Sequence, residues 1–303
     1  MEQAYLSPKN DYAFKKIFGE KKNKAILLHF LNDVLDHAHI GHIVDLTFIN
    51  PWQAPDLVGD KASMVDVLCT DAAGHQYIVE MQTASAPGFI KRAQYYAAKA
   101  YTSQMKKGAP YEGLKEVIFL AITDFVLFPE SKAIKSDHVI LDKANHAHYL
   151  KDFSFTFVEL PKFQKSFPQL SGNLDQWWHF LKNAPTTTPA EHAALVQSLP
   201  ILQQAYQVLD DMAMDKEERL RYDQAEKYVR YYTASLIGAE RKGLAKGMAK
   251  GKAAGRKEGE QAGLAKGRQA ERLALARKLK EKGMDQQTIQ QLTGLSGSQV
   301  AVL

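Results

Sequence analysis

Two carboxylates stand where a β-hairpin could bring them together. Asp66 lies within one run of strand-forming residues, and Glu80 and Gln82 end the next run. The tetrapeptide between the runs, Asp71-Ala72-Ala73-Gly74, is typical of a hairpin turn. Because side chains alternate between the faces of a strand, Glu80 and Gln82 share one face while Met81 points away. The pattern predicts that Asp66 and Glu80 converge at one place on a sheet.

Two converging carboxylates are typical of a site for a hard cation. Mg²⁺ prefers a few carboxylates together with water and substrate phosphate. Bound there, it would polarise a phosphoryl oxygen and lower the pKa of a bound water. The backbone carbonyl of Met81 could complete the set of ligands. The residues alone leave a second interpretation open, in which Asp66 and Glu80 are solvated charges beside a hairpin.

Hydrophobic periodicity predicts the elements that would hold these residues. The predicted helices span Asn10–Phe18, Ala25–Leu35 and Phe89–Lys107, and the predicted strands span Ile43–Ile49, Ser63–Thr70, His75–Gln82, Val117–Thr123, Val139–Leu141 and Phe153–Leu160. This order indicates a mixed α/β fold. After Pro161 the pattern is helical, over Leu174–Leu181, Pro189–Ser198 and Leu202–Leu236. We expect Trp177 and Trp178 to be core or docking aromatics and not part of a ligand site.

The motifs, taken in order, resemble those of the PD-(D/E)xK nuclease superfamily, in its recombination-promoting nuclease, transposase-like branch. Asp66, the hairpin and Glu80-Met81-Gln82 resemble the superfamily signature, with Gln in the third place as is typical of this branch. The further matching pieces are the helix from Leu6 to Phe18, Asp60-Lys61, Arg92 with Tyr95-Tyr96, and Glu159-Leu160-Pro161-Lys162-Phe163. The resemblance covers about residues 5–165 and, through a Gly/Lys-rich tail, most of the chain.

The resemblance implies catalytic roles. Asp66 and Glu80 would bind the divalent metal, and Gln82 would orient the attacking water or a metal-bound water. Gln supplies hydrogen bonds without charge and is no base near neutral pH. The general base therefore stays open between a metal hydroxide, a phosphate oxygen and another residue. Asp11 matches the acidic residue of the first helix, where it could face the metal, hold a water, or simply favour the helix dipole.

Two basic residues are candidates for DNA contacts. Lys61 could contact a phosphate or could be a solvated turn residue. Arg92 lies one helical turn from Tyr96 and could line a DNA cleft or form a structural pair. For Tyr96 we favour a structural role. The ten histidines show no metal-ligand spacing, and no phosphate-binding loop or nucleophile motif is present in the sequence.

The net charge of +5 is unevenly distributed along the chain. Residues 238–282 contain 14 Lys and Arg against five Asp and Glu, whereas residues 1–237 carry a net −3. Such a basic arm could attract a polyanion or could be a solvated helix face. Its glycines recur at every fourth position from 243 to 267. This stripe favours close pairing of helices from two copies of the chain, with a flexible tail as the alternative.

The predicted organisation is a PD-(D/E)xK restriction-endonuclease-like α/β core at residues 1–165, a helical domain at 166–237, and a Gly/Lys-rich helical arm with a small helical cap at 238–303. The cap resembles a helix-turn-helix around Gly294-Leu295-Ser296, and packing or oligomerisation is favoured over base readout. The lone cysteine, Cys69, fits a reducing compartment and a buried strand position. The lack of an apolar signal core or spanning segment predicts a cytoplasmic protein.

The expected function is a Mg²⁺-dependent DNA endonuclease of low sequence specificity, acting in DNA recombination or in defence against foreign DNA. It would act as a homo-oligomer assembled through the arm. The alternative is a catalytically inactive DNA-binding or assembly protein on a nuclease fold. The intact set Asp66, Glu80 and Gln82 favours the enzyme. A transposase is less favoured, since the sequence shows no separate integrase-type carboxylate triad.

Overall fold

The computed structural model describes residues 5–35, 41–53 and 63–303. It groups the chain into two compact units, Met1–Thr233 and Ala234–Leu303. The division into three domains at residues 165 and 237 stays a prediction. In the part of the chain that the structure describes, no helix is both long enough and apolar enough to cross a membrane.

A six-stranded mixed sheet forms the centre of the first unit. In chain order, the strands of this sheet and of a second, smaller sheet are β1 (Leu46–Phe48), β2 (Trp52–Gln53), β3 (Ser63–Met64), β4 (Val67–Asp71), β5 (Gln76–Gln82), β6 (Val117–Thr123), β7 (Lys135–Ile140) and β8 (Leu150–Glu159). The sheet has the order β1-β4-β5-β6-β8-β7, and β2 and β3 form a separate two-stranded sheet. β5 pairs parallel with β6, and β6 pairs parallel with β8, while the remaining pairs are antiparallel.

Helices cover both faces of this sheet. They are α1 (Asp11–Gly19), α2 (Lys24–Val34), α3 (Phe89–Ser103), α4 (Gly172–Asn183), α5 (Pro189–Ser198), α6 (Ile201–Met214), α7 (Lys216–Glu281), α8 (Gln286–Thr293) and α9 (Gly297–Ala301). On β5, Tyr77 and Val79 pack into the core formed with α1, α2, α4 and α6, whereas Ile78 packs into the core formed with α3. This alternation places the two cores on opposite faces of the sheet. The predicted mixed α/β fold is confirmed.

Two predicted elements are interrupted where an acidic side chain binds backbone N–H groups. The predicted strand 63–70 is divided into β3 and β4, because the backbone N–H of Asp66 donates to the Glu80 carboxylate (3.1 Å). The predicted helix 202–236 is divided at Asp215, whose Oδ1 accepts from the N–H groups of Glu217 (2.8 Å) and Glu218 (2.9 Å). Asp215 thereby starts α7 as an N-cap would.

The aromatic residues of α4 anchor this helix in the larger core. Trp177 is fully buried, and its indole N–H donates to Asp33 Oδ2 on α2 (2.7 Å). Trp178 is buried beside it, so the core prediction for both is confirmed. Cys69 is also buried, and burial raises the pKa of its thiol to about 12. The thiol therefore stays protonated near neutral pH and packs as a small apolar residue.

The second unit consists of the greater part of α7 with α8 and α9. A small core of Ala276, Ile289, Leu295 and Val300 holds the two short helices against the end of α7. The glycines from 243 to 267 all lie within α7. A Cβ built at any of these glycines meets no described atom within 4 Å, so the glycine stripe faces open space.

A buried ion pair ties the end of β8 to the loop after β6. Glu159 is 1% exposed, and its carboxylate accepts from the N–H groups of Leu127 and Phe128. The Lys162 ammonium contacts the same carboxylate and also donates to the Phe128 carbonyl (2.9 Å). The family-like motif 159–163 therefore has a structural role in this chain.

Replacing Lys162 by Met should lower the free energy of unfolding by about 3–5 kcal/mol, because it leaves the Glu159 carboxylate buried without its cation. Urea denaturation followed by circular dichroism measures the change. The matched variant Lys151→Met, at an exposed position of β8, the strand that ends at Glu159, should change stability by less than about 0.5 kcal/mol. Equal small changes in both variants would contradict the structural role of the pair.

Candidate active site

The β4–β5 hairpin brings the predicted carboxylates together. Val67 pairs with Val79, which places Asp66 and Glu80 opposite each other at the next position. Gln82 Nε2 donates to Glu80 Oε2 (2.8 Å), so these two side chains lie on the same face. Met81 points into the larger core and is 5% exposed. The alternation expected from the sequence is confirmed.

Asp66 and Glu80 are interlocked by reciprocal hydrogen bonds. The N–H of Asp66 donates to Glu80 Oε1 (3.1 Å), and the N–H of Met81 donates to Asp66 Oδ2 (2.9 Å). Each carboxylate is thus held by the backbone of the opposite strand segment. The Asp66 side chain is 11% exposed and Glu80 is 3% exposed. This burial excludes the interpretation of the two residues as solvated surface charges.

Lys15 is a site residue that the sequence analysis missed. Its ammonium lies 2.7 Å from Asp11 Oδ1 and 3.1 Å from Asp66 Oδ1. Asn10 caps the N-terminus of α1 through hydrogen bonds from two N–H groups of the first turn, which begins this helix just before Asp11. The spacing of Asp11 and Lys15, one helical turn apart, was a visible signal that both lie on one helix face. Asp11 itself is half exposed and contacts Asp66 only through Lys15.

Arg92 fixes the orientation of the Gln82 amide. Arg92 Nη2 donates to Gln82 Oε1 (2.6 Å), so the Gln82 amide nitrogen faces Glu80. The guanidinium also lies over the Phe89 ring, 5.1 Å from its centroid. Arg92 Nε is buried and makes no hydrogen bond to the described residues. Tyr96 packs against the core under α3, in agreement with a structural role.

Burial dominates the electrostatics of the carboxylate pair. Burial raises the pKa of Asp66, and the lowering effect of the Lys15 ammonium only partly offsets it. Burial also raises the pKa of Glu80, and repulsion by Asp66 raises it further. Burial opposes the charge on Lys15, yet Asp66 and Asp11 hold the pKa of its ammonium above the ordinary value. Among the described residues, no Lys or Arg lies within ion-pair distance of Glu80.

Raised carboxyl pKa values make the folded state bind protons that the unfolded state releases. The contribution of this pair to the free energy of unfolding therefore falls as the pH rises from about 4 through the raised pKa values of the pair. A divalent cation between the carboxylates would replace the proton and remove this loss. Carboxylate oxygens are the ligands that Mg²⁺ and Ca²⁺ prefer, so Asp66 and Glu80 fit such an ion.

The remaining predicted site residues are not joined to this pair. Lys61 lies outside the described residues. The N–H of Met81 contacts Asp66, while the expected bond from its carbonyl to a metal stays a prediction. Within residues 5–35, 41–53 and 63–303, no group of three or more His, Cys, Asp and Glu side chains could hold a metal ion. An ion on Asp66 and Glu80 would therefore complete its coordination with backbone, water or substrate oxygens.

Comparison with protein families agrees with this geometry. A family model described as PD-(D/E)XK nuclease family transposase matches residues 8–239. No curated protein and no solved structure matches the chain significantly. The matched range contains the carboxylate pair, Gln82 and Arg92, and the six-stranded mixed sheet is consistent with the nuclease fold of this family. Because the match spans well over half of the chain, this protein belongs to the family that this model describes, the transposase-like PD-(D/E)XK nuclease family.

Proposed function

We propose that this chain is a divalent-metal-dependent endonuclease that hydrolyses phosphodiester bonds of DNA with little sequence specificity. The observation that carries the proposal is the buried, interlocked pair Asp66 and Glu80, whose charge Lys15 only partly neutralises. Mg²⁺ is the expected ion. A role in DNA recombination or in defence against foreign DNA rests on the family resemblance.

The side chains around the pair have complementary roles in this proposal. A divalent cation held by Asp66 and Glu80 would supply Lewis acidity, which polarises the phosphate and makes water a nucleophile near neutral pH. Gln82 would orient the attacking water, by accepting a hydrogen bond from it or by donating one to it. Arg92 holds the Gln82 amide in place through a hydrogen bond. Lys15 supplies the positive charge that Gln82 lacks, and we assign it to a phosphate oxygen.

Asp11 is a positioning residue in this scheme. Its carboxylate lies 2.7 Å from the Lys15 ammonium, and it makes no direct contact with Glu80 or Gln82. It would keep the Lys15 ammonium near the site when the ammonium moves from the Asp66 carboxylate to a phosphate oxygen of the substrate. Arg92 would act on Gln82 from the opposite side, in addition to any contact with DNA.

Cleavage of supercoiled plasmid tests the nuclease proposal. The purified full chain should nick plasmid with Mg²⁺ and not with EDTA. Asp66→Asn and Glu80→Gln should each reduce the rate by about 100-fold or more, because each removes a ligand of the ion. Asp45→Asn is the matched control, since it changes an exposed carboxylate that pairs with Lys24.

Three outcomes would contradict the nuclease and favour the inactive DNA-binding or assembly protein. These are no cleavage with any divalent metal, no cleavage above that of a buffer blank, and equal cleavage by Asp66→Asn and wild type. Cleavage that persists in EDTA would instead contradict the metal dependence. Loss of activity in Asp45→Asn as well would indicate a general effect of removing a carboxylate.

We also propose that the arm pairs with the arm of a second copy of the chain. The seven glycines from 243 to 267 weaken an isolated helix by about 1 kcal/mol each relative to Ala. No described atom within 4 Å of their Cβ positions accounts for this cost inside the chain. Close approach of a second helix would account for it.

Replacing Gly251, Gly255 and Gly259 by alanine tests whether the arm pairs with a second copy or remains a single helix. In the full chain these substitutions should lower the molar mass measured by light scattering from oligomer to monomer, while helix content by circular dichroism stays the same or rises. Gly238→Ala, outside the stripe of period four, should leave the mass unchanged. A monomeric wild type, or an oligomer that tolerates all three substitutions, would contradict the pairing.

A further inference from the structure

The first turns of α7 are fixed to α1, the helix that carries Asp11 and Lys15. Tyr222 is buried, and its hydroxyl accepts from the N–H of Ser7 (3.0 Å). The carbonyl of Tyr222 accepts from Asn10 Nδ2 (3.1 Å), and Asn10 is the N-cap of α1. Glu218, one turn earlier, accepts from the Tyr12 hydroxyl (2.7 Å). These bonds place the next turns of α7 at a defined position beside the carboxylate pair.

A cavity of about 510 Å³ lies between these next turns and the active-site strand. Its wall on α7 consists of Ala225, Tyr228, Val229 and Tyr232. Positions 225, 228, 229 and 232 follow the three- and four-residue spacing of one helix face. On the opposite side, Gln82 and Arg92 line the same cavity. The space therefore reaches from the Gln82 amide, which contacts Glu80, to two tyrosine rings.

The two tyrosines present open aromatic faces. Tyr228 is 72% exposed and Tyr232 is 40% exposed. Their rings are nearly parallel, with an angle of 11° between the planes, and their centroids are 6.5 Å apart. This separation is at the far end of the range for aromatic pairs, so the rings cover little of each other. Flat, parallel and uncovered rings of this kind are typical surfaces for stacking nucleobases.

Arg92 adds a cationic donor to the same cavity. Its Nη2 is used by Gln82, whereas its Nε is buried and has no partner among the described residues. Arg92 lines the cavity, so a phosphate or base oxygen bound there would lie beside its positively charged guanidinium. The cavity thus combines aromatic faces, a guanidinium and the Gln82 amide, which donates a hydrogen bond to Glu80. A nucleotide is the ligand that uses all three.

We propose that this cavity binds an unpaired nucleotide of the DNA strand, with its base stacked on Tyr228 and Tyr232 and its backbone passing Arg92 towards Asp66 and Glu80. Base pairs within a duplex cover their own faces by stacking, so an unpaired base is needed. The substrate class is accordingly DNA with single-stranded, frayed or gapped segments next to the cleaved phosphate. This deepens the proposed nuclease function and rests on it for the identity of the strand as substrate.

Fluorescence anisotropy with the full chain in EDTA tests the site without cleavage. The probes are a labelled single-stranded DNA oligonucleotide and the same oligonucleotide annealed into a blunt duplex. Salt is raised to weaken phosphate contacts of the basic arm. The double variant Y228A/Y232A should bind the single strand about tenfold more weakly or worse, because it loses the stacking surface. Its affinity for the duplex should not change.

Two matched variants separate stacking from other effects. Y228F/Y232F keeps both rings and should retain single-strand binding. Y231A removes a neighbouring exposed tyrosine that does not line the cavity and whose ring contacts Lys227 instead, and it should also bind like wild type. Circular dichroism melting of all variants should coincide, since Tyr228 and Tyr231 are mostly exposed and Tyr232 is substantially so.

The outcomes distinguish this inference from the nuclease proposal. If the wild type cuts no plasmid but binds single-stranded DNA in a way that requires Tyr228 and Tyr232, the nucleotide site is supported and the nuclease proposal is contradicted. A wild type that cuts plasmid while Y228A/Y232A keeps its single-strand affinity overturns the nucleotide site alone. Equal losses for single strand and duplex, or an equal loss in Y231A, also overturn it.

Discussion

The reciprocal hydrogen bonding of Asp66 and Glu80 is the interaction on which the site depends. Each carboxylate accepts a backbone N–H from the opposite strand segment, so neither can turn away to solvent. Glu80 is buried and the Asp66 side chain is nearly so, and the Lys15 ammonium contacts Asp66 and Asp11 but not Glu80. Two buried carboxylates with one cation are unfavourable without a proton or a metal. The hairpin therefore holds two carboxylates close together that need a further positive charge beside them.

The fold holds this hairpin rigidly from several directions. β5 is an inner strand of the sheet, and its residues pack alternately into two separate cores. α1 brings Lys15 to one side of the pair, and α3 brings Arg92 to the other through Gln82. α7 is bound to the start of α1 through Tyr222. The carboxylate pair, Lys15, Arg92 and the two tyrosines of α7 are thus positioned by one connected set of elements.

The sequence predicted those features that depend on local periodicity. The alternation of Glu80, Met81 and Gln82 follows from the two-residue period of a strand, and the turn at Asp71 to Gly74 determines the hairpin. The contact of Lys15 with Asp66 was missed because it joins residues 51 positions apart, and no periodicity reports such a pair. The tyrosines of α7 were missed for the same reason. Their exposed rings indicate a binding site only because they line the same cavity as Gln82 and Arg92.

The most direct test of the account is thermal unfolding of the full chain with Mg²⁺ or EDTA at several pH values, for wild type and Glu80→Gln. In EDTA the difference in stability between wild type and Glu80→Gln should shift against wild type as the pH rises above about 4, because only wild type must release the proton of Glu80. Mg²⁺ should raise the melting temperature of wild type, with a larger effect at higher pH, and should leave Glu80→Gln nearly unchanged. Identical pH profiles and no effect of any divalent ion on wild type would contradict a metal site at this carboxylate pair.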